Sequence, residues 1–224
     1  MGYNNQIMIS ENIKQIFAQV PEGVQIVAAG KSRAVDEIKQ AIASGIRIVG
    51  ENYVQEAEEK QKLIGRVAQW HLIGHLQRNK IKRAVKIFDM IQTLDSLEIA
   101  QGIDKVCGQE NRVMPVLIEI NSAREKDKFG LFPEDVELLI KETSQLKHIK
   151  ITGLMTMGPD LSNREELRPY FKNTRQLFER IKSLNFPGVE MRYLSMGMSD
   201  SYQIAIQEGA NLVRIGTAIF GRRK

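Results

Sequence analysis

Eight short apolar runs punctuate the chain: VQIVAAG (24–30), IRIVGEN (46–52), AQWHLIG (68–74), FDMIQTL (88–94), VMPVLIEIN (113–121), IKITGLMTM (149–157), MRYLSMG (191–197) and ANLVRIG (210–216). Each is of strand length and mostly apolar throughout rather than alternating, the pattern of parallel strands buried on both faces. Between them the pattern switches to helical periodicity. Val35, Ile38, Ala41 and Ile42 share one helical face, and Gly45 follows where a C-terminal cap belongs. Asp95 with Glu98, and Ser162 with Glu165, have the spacing of capping boxes. The second opens a long helix with Leu167, Tyr170, Phe171, Thr174, Leu177, Phe178 and Ile181 on one side. Pro133 suits the first turn of a helix over 133–146, whose apolar face carries Val136, Leu139, Ile140 and Thr143.

Eight strands alternating with helices predict a (β/α)8 TIM barrel, an α/β fold, in preference to an open doubly wound sheet. No internal repeat, low-complexity tract or linker divides the sequence, so residues 1–224 read as a single domain. After the eighth run and Thr217 only AIFGRRK remains, too little for a closing helix. The amphipathic segment over about residues 5–19 is expected to fill that place in the outer ring.

Composition narrows the function classes. At 42% hydrophobic and 26% charged, the chain reads as an ordinary soluble protein. No apolar run approaches the roughly 20 residues that cross a bilayer, so no membrane role is expected. The N-terminus MGYNNQIMISENIKQ lacks the layout of a signal peptide, which predicts a cytoplasmic protein. The single cysteine, Cys107, fits a reducing compartment and has no metal-ligand spacing. The net charge of +5 is dispersed, densest at Lys80, Lys82, Arg83 and Lys86 and at the tail Arg222, Arg223, Lys224. Neither stretch has interleaved aromatics to stack bases, so nucleic acid is not an expected partner. A basic rim that draws in a phosphorylated ligand remains the functional reading.

TIM barrels place their chemistry at the C-terminal ends of the strands. There the chain offers Lys31 after the first run, Asn52 after the second, Gly74-His75 after the third, Ser195–Asp200 after the seventh and Arg214–Thr217 after the eighth. Loops after strands seven and eight commonly bind phosphate. Ser195, Ser199 and Thr217 supply hydroxyls there, and Gly197 and Gly216 let the backbone approach. Partial desolvation at a barrel mouth favours the neutral amine of Lys31, which attacks an aldehyde. An amine facing a phosphate grip suits pyridoxal 5′-phosphate (PLP), and equally a Schiff-base aldolase acting on a sugar phosphate. His71 reads as a barrel-strand residue and His75 as a pocket residue; HLIGH lacks the glutamate of a zinc-binding HExxH. Met155, Met157, Met196 and Met198 read as packing at the barrel top.

The stretches IVAAGKSR, VGENYVQEAEEK, WHLIGHLQRNKIK, TLDSLEIA, ITGLMTM and YLSMGMSDSYQIAIQEGANLVRIGTAIFG, with Lys128-Phe129-Gly130, resemble the pyridoxal phosphate homeostasis protein family over residues 26–221. The resemblance implies a fold-type III PLP barrel similar to the N-terminal domain of alanine racemase. It implies intracellular vitamin B6 homeostasis, with PLP held as a Schiff base and buffered or delivered to PLP-dependent apo-enzymes, and no established catalytic activity. It makes Lys31 the Schiff-base lysine, with Ser195, Ser199, Gly216 and Thr217 at the phosphate, Arg214 at the pyridine nitrogen and Asn52 near the cofactor. Where the family usually reads Val-Ser-Lys-Thr-Lys-Pro, this chain reads Ala-Gly-Lys-Ser-Arg-Ala; Gly30 removes a hydroxyl, and Arg33 replaces a second amine that could form an imine. Lys128 stands at another family lysine linked to cofactor handling. The alternative is a PLP-dependent amino-acid racemase with weak activity. Alanine racemase takes its second proton donor, a tyrosine, from a dimer interface that includes an added β-domain; this sequence stops just after strand eight, which argues against racemisation and for a monomer.

Overall fold

A computed structural model describes residues 2–222, with side chains from residue 8 onward. Its eight strands are β1 (Gln25–Ala29), β2 (Ile48–Glu51), β3 (Gln69–Leu72), β4 (Met90–Leu94), β5 (Met114–Ile120), β6 (Ile149–Thr156), β7 (Val189–Ser195) and β8 (Leu212–Ile215). They pair in parallel and in sequence order, and β8 closes on β1 through Val27 opposite Arg214. Every expected run holds its strand, because a segment apolar on both faces is buried on both only in a sheet covered inside and out.

The outer layer is α1 (Gly2–Gln19), α2 (Val35–Ala43), α3 (Val54–Ile64), α4 (Ile81–Ile87), α5 (Leu97–Gln109), α6 (Val136–Thr143), α7 (Arg168–Leu184), α8 (Tyr202–Gln207) and α9 (Thr217–Phe220). The last is a single turn. Helix α1 completes the ring beside it, burying Ile9, Ile13 and Ile16 and donating from Asn12 Nδ2 to the Ile219 carbonyl at 2.9 Å. At its far end Tyr202 donates its hydroxyl to Gln19 Oε1 at 2.7 Å.

Two caps differ from expectation by one residue. Ser96, not Asp95, caps α5, its Oγ accepting from the Ile99 amide at 3.4 Å. Asn163, not Ser162, caps the 3-10 turn Arg164–Leu167 that leads into α7. Pro133 opens a 3-10 turn, and α6 ends at Thr143 rather than 146. Gly45, with φ of 108°, ends α2 as expected.

Inside the barrel Val27, Ile48, Ile73, Met90, Leu117, Met155 and Leu212 form an apolar plug. Gly153 admits β7 against β6, since a Cβ there would lie 1.8 Å from the Tyr193 carbonyl oxygen. Polar groups are buried within the same barrel: His71, Gln92, Glu119, Ser195 and Arg214 are each at most 4% exposed. A TIM-barrel interior is ordinarily filled by branched apolar residues, so this polar set is unusual; it runs from Arg214, on a cavity at the C-terminal strand ends, to His71 at the opposite end. No helix among the described residues is long and apolar enough to cross a membrane.

Candidate cofactor site

Above the plug lies a cavity of about 340 Å³ at the C-terminal strand ends, within the range of small-ligand sites (roughly 300–1,000 Å³). Lys31, Asn52, Arg214, Ser199, Gly216 and Thr217 all line it, so six of the seven expected site residues converge. Met157 and Met198, each 39% exposed, form part of its wall. The Lys31 ammonium sits over the Tyr53 ring, 5.2 Å from its centroid.

The turn carrying Lys31 is clamped on both sides. Lys60, buried on α3, donates at 2.7 Å to the Gly30 carbonyl and at 2.7 Å to Glu51 Oε1, and reaches Glu56 Oε2 at 3.2 Å. Glu56 Oε2 in turn accepts from the Ser32 amide at 3.0 Å. Ser32 has φ of 59°, a left-handed conformation costly for a residue with a side chain, and the clamp holds it there. Burial pushes the Glu51 carboxyl up to about 7, against the opposing pull of Lys60. The absence of a side chain at Gly30 has a local reason: a Cβ would fall 2.5 Å from Glu51 Oε1. Arg33, also on the cavity wall, donates to the Phe220 and Gly221 carbonyls and ties this turn to α9.

Opposite, the Ser199 hydroxyl oxygen accepts from the Gly216 and Ala218 amides, each at 3.1 Å. The loop after β7 and the chain after β8 thus meet around one acceptor oxygen, the arrangement a phosphate oxygen would also satisfy.

Ser195 differs from expectation. It is fully buried and does not line the cavity; its oxygen accepts from Arg214 Nη1 at 2.6 Å and its proton goes to Gln92 Oε1 at 2.7 Å. Its hydroxyl is committed to holding Arg214, whose Nη2 donates to the Thr156 carbonyl at 2.8 Å. The chain continues from Gln92 Nε2 to His71 Nδ1 at 2.9 Å. A guanidinium only donates, so every bond here is polarised in one direction and His71 carries its proton on Nε2. Burial pushes His71 down to about 3, keeping it neutral, and lowers Arg214 to about 10.

Glu119 lies in the same polar layer, with Oε2 unpartnered. Burial raises its carboxyl to about 7, reinforced by Asp95 and opposed by Arg214. Asp95 is also raised by burial, with His75 3.4 Å away. His75 does not line the cavity; it stacks on Phe129 with ring centroids 3.8 Å apart. Lys128 also lies off the cavity wall, paired with Glu125 at 2.8 Å. Sequence reasoning missed Glu51, Lys60, Gln92 and Glu119; only Lys60 left a signal, standing on the apolar stripe Val54, Ala57, Lys60 of α3.

The model of the alanine racemase N-terminal domain family matches residues 6–224. The pyridoxal phosphate homeostasis protein of Aquifex aeolicus is 38% identical over 201 residues, covering 89% of this chain and 87% of the relative. That of Pasteurella multocida is 38% identical over 228 residues, covering 98% and 96%. The chain belongs to the pyridoxal phosphate homeostasis protein family. PipY of Synechococcus elongatus, solved with PLP bound, superposes with a TM-score of 0.88 at 33% identity, covering 95% of this chain and all of PipY. Alanine racemase of Clostridium difficile superposes with a TM-score of 0.79 at 18% identity, a likeness of fold; this chain covers 60% of its length.

Proposed function

We propose that this protein binds PLP as a Schiff base on Lys31 and serves intracellular PLP homeostasis, buffering or delivering the cofactor. The observation that carries the reading is one cavity whose wall joins a lysine amine, the hydroxyls of Ser199 and Thr217 and a donor-only arginine. This donor set fits PLP: an amine for the aldehyde, the Thr217 hydroxyl and the Ser199 O–H, whose oxygen already accepts from the Gly216 and Ala218 amides, for the phosphate beside Gly216, and Arg214 for the pyridine nitrogen. Membership of a family whose relatives are named for PLP homeostasis, and PLP bound in PipY, support it. When bound, PLP supplies an aldehyde that condenses with amines and a ring that withdraws electrons.

The residues of the chain then divide the work. Lys60 and Glu56 fix the turn that presents Lys31. Ser195 takes the role of orienting Arg214 rather than touching phosphate. Arg214, which can only donate, would face the ring nitrogen and leave it unprotonated. Titrating the protein with PLP should raise visible absorption to saturation, and Lys31→Ala should lose that signal while retaining weaker, phosphate-driven binding. A colourless protein that takes up no PLP would overturn the reading. Transfer to an apo-enzyme, compared with free PLP at equal concentration, separates the two roles: faster activation means delivery and slower activation means buffering.

A further inference from the structure

A second cavity, of about 750 Å³, opens at the opposite end of the barrel, where Gln69, Met90, Pro115, Lys150 and Glu190 stand at or near the starts of their strands. The PLP reading does not use it. Its wall carries Arg47, Arg66, Lys150 and Arg192 against two carboxylates, Asp89 and Glu190. Arg66 pairs with Asp89 at 3.3 Å, while Lys150 and Arg192 both lean on Glu190 at 2.5 Å. Among the described residues Arg47 has no acidic partner within reach. Four cations facing two carboxylates leave an excess of positive charge.

An independent feature points the same way. His71 lines this cavity although it is only 2% exposed. Its Nδ1 is taken by Gln92, and no protein group among the described residues bonds Nε2. The direction of the buried chain, set by the donor-only guanidinium of Arg214, leaves the proton on that free nitrogen. The most deeply buried polar group on the wall therefore offers a donor, and the charged groups around it offer excess positive charge. Both call for an acceptor.

We propose that the lower cavity is a binding site for a small polyanion bearing carboxylate or phosphate groups. One acceptor oxygen takes the His71 Nε2 proton in a hydrogen bond, and the remaining charge lies between Arg47 and Arg192. The site is distinct from the Lys31 cavity and stands whether or not that cavity holds PLP.

The test uses full-length protein and two probes, citrate and pyrophosphate, at ionic strength held constant with sodium chloride. Calorimetry is run on protein reduced with borohydride in the presence of PLP, which blocks the upper cavity, and on unmodified protein. One saturable site should appear in both, at least tenfold weaker in Arg47→Ala/Arg192→Ala, whose side chains lie outside the core. Citrate should also shift the His71 Nε2 resonance in ¹⁵N spectra of the unmodified protein. Absence of binding at constant ionic strength, its loss when the upper cavity is blocked, indifference to the double substitution, or an unmoved His71 signal would each overturn the proposal. If the protein takes up no PLP, the double variant and the His71 signal still decide it, so failure of the two readings is distinguishable.

Discussion

Glu119→Gln exposes the energetics of the polar barrel layer most cleanly. The carboxyl is 4% exposed, its Oε2 has no partner, and burial raises it from 4.5 to about 7. A folded pKa above the unfolded one means stability that is present below 4.5 and lost as pH rises through about 7. From those two values, the loss between pH 5 and pH 8 amounts to about 2–3 kcal/mol, on the scale of about 1.4 kcal/mol for each pH unit. Glutamine has the shape of the protonated acid and no such ionisation. The variant should therefore gain about 2–3 kcal/mol relative to wild type on going from pH 5 to pH 8, whatever its offset at pH 5. Urea denaturation at both pH values measures it, with unchanged m-values confirming a pure stability effect. A stability difference identical at the two pH values would show that Glu119 titrates as an exposed acid, and the reasoning would fail.

Three further outcomes follow from packing and bonding. Ser195→Ala leaves a guanidinium N–H and the Gln92 carbonyl oxygen unpaired in the barrel, at about 1–3 kcal/mol each, so chemical denaturation should show a loss of about 2–6 kcal/mol together with weaker PLP binding. Wild-type values for both would show that Ser195 does not hold Arg214. Gly153→Ala places a Cβ 1.8 Å from the Tyr193 carbonyl oxygen, and should cost roughly 3 kcal/mol or more in the same assay, because backbone rather than a side chain must move. Removing residues 1–19 uncovers the surface under Ile9, Ile13 and Ile16 and should sharply reduce the soluble yield; a truncated protein that stays folded and soluble contradicts the place of α1 in the ring.

The barrel was legible because buried parallel strands advertise themselves as continuous apolar runs, and even the missing final helix showed as a deficit that α1 makes good. Helix caps were less legible. Asp, Ser and Asn all cap well, and tertiary partners chose among neighbours: Asp95 turns toward His75, leaving the cap to Ser96. At the site, position at a strand end found the six residues that face the cavity, since the fold sends those ends to one mouth. Position could not tell that Ser195 points into the barrel, because its partners Gln92 and Arg214 lie 103 and 19 residues away. Glu51 was hidden for the same reason, and Lys60 showed only as a charge on the apolar stripe of α3 until the fold brings its ammonium to Glu51 and the Gly30 carbonyl.

The central claim, that Lys31 holds PLP, meets its most direct test in borohydride reduction of the PLP-loaded protein followed by peptide mass mapping. One dominant pyridoxyl adduct is expected, on the peptide containing Lys31. A dominant adduct on Lys60, Lys128 or any other lysine, with Lys31 unmodified, would contradict it.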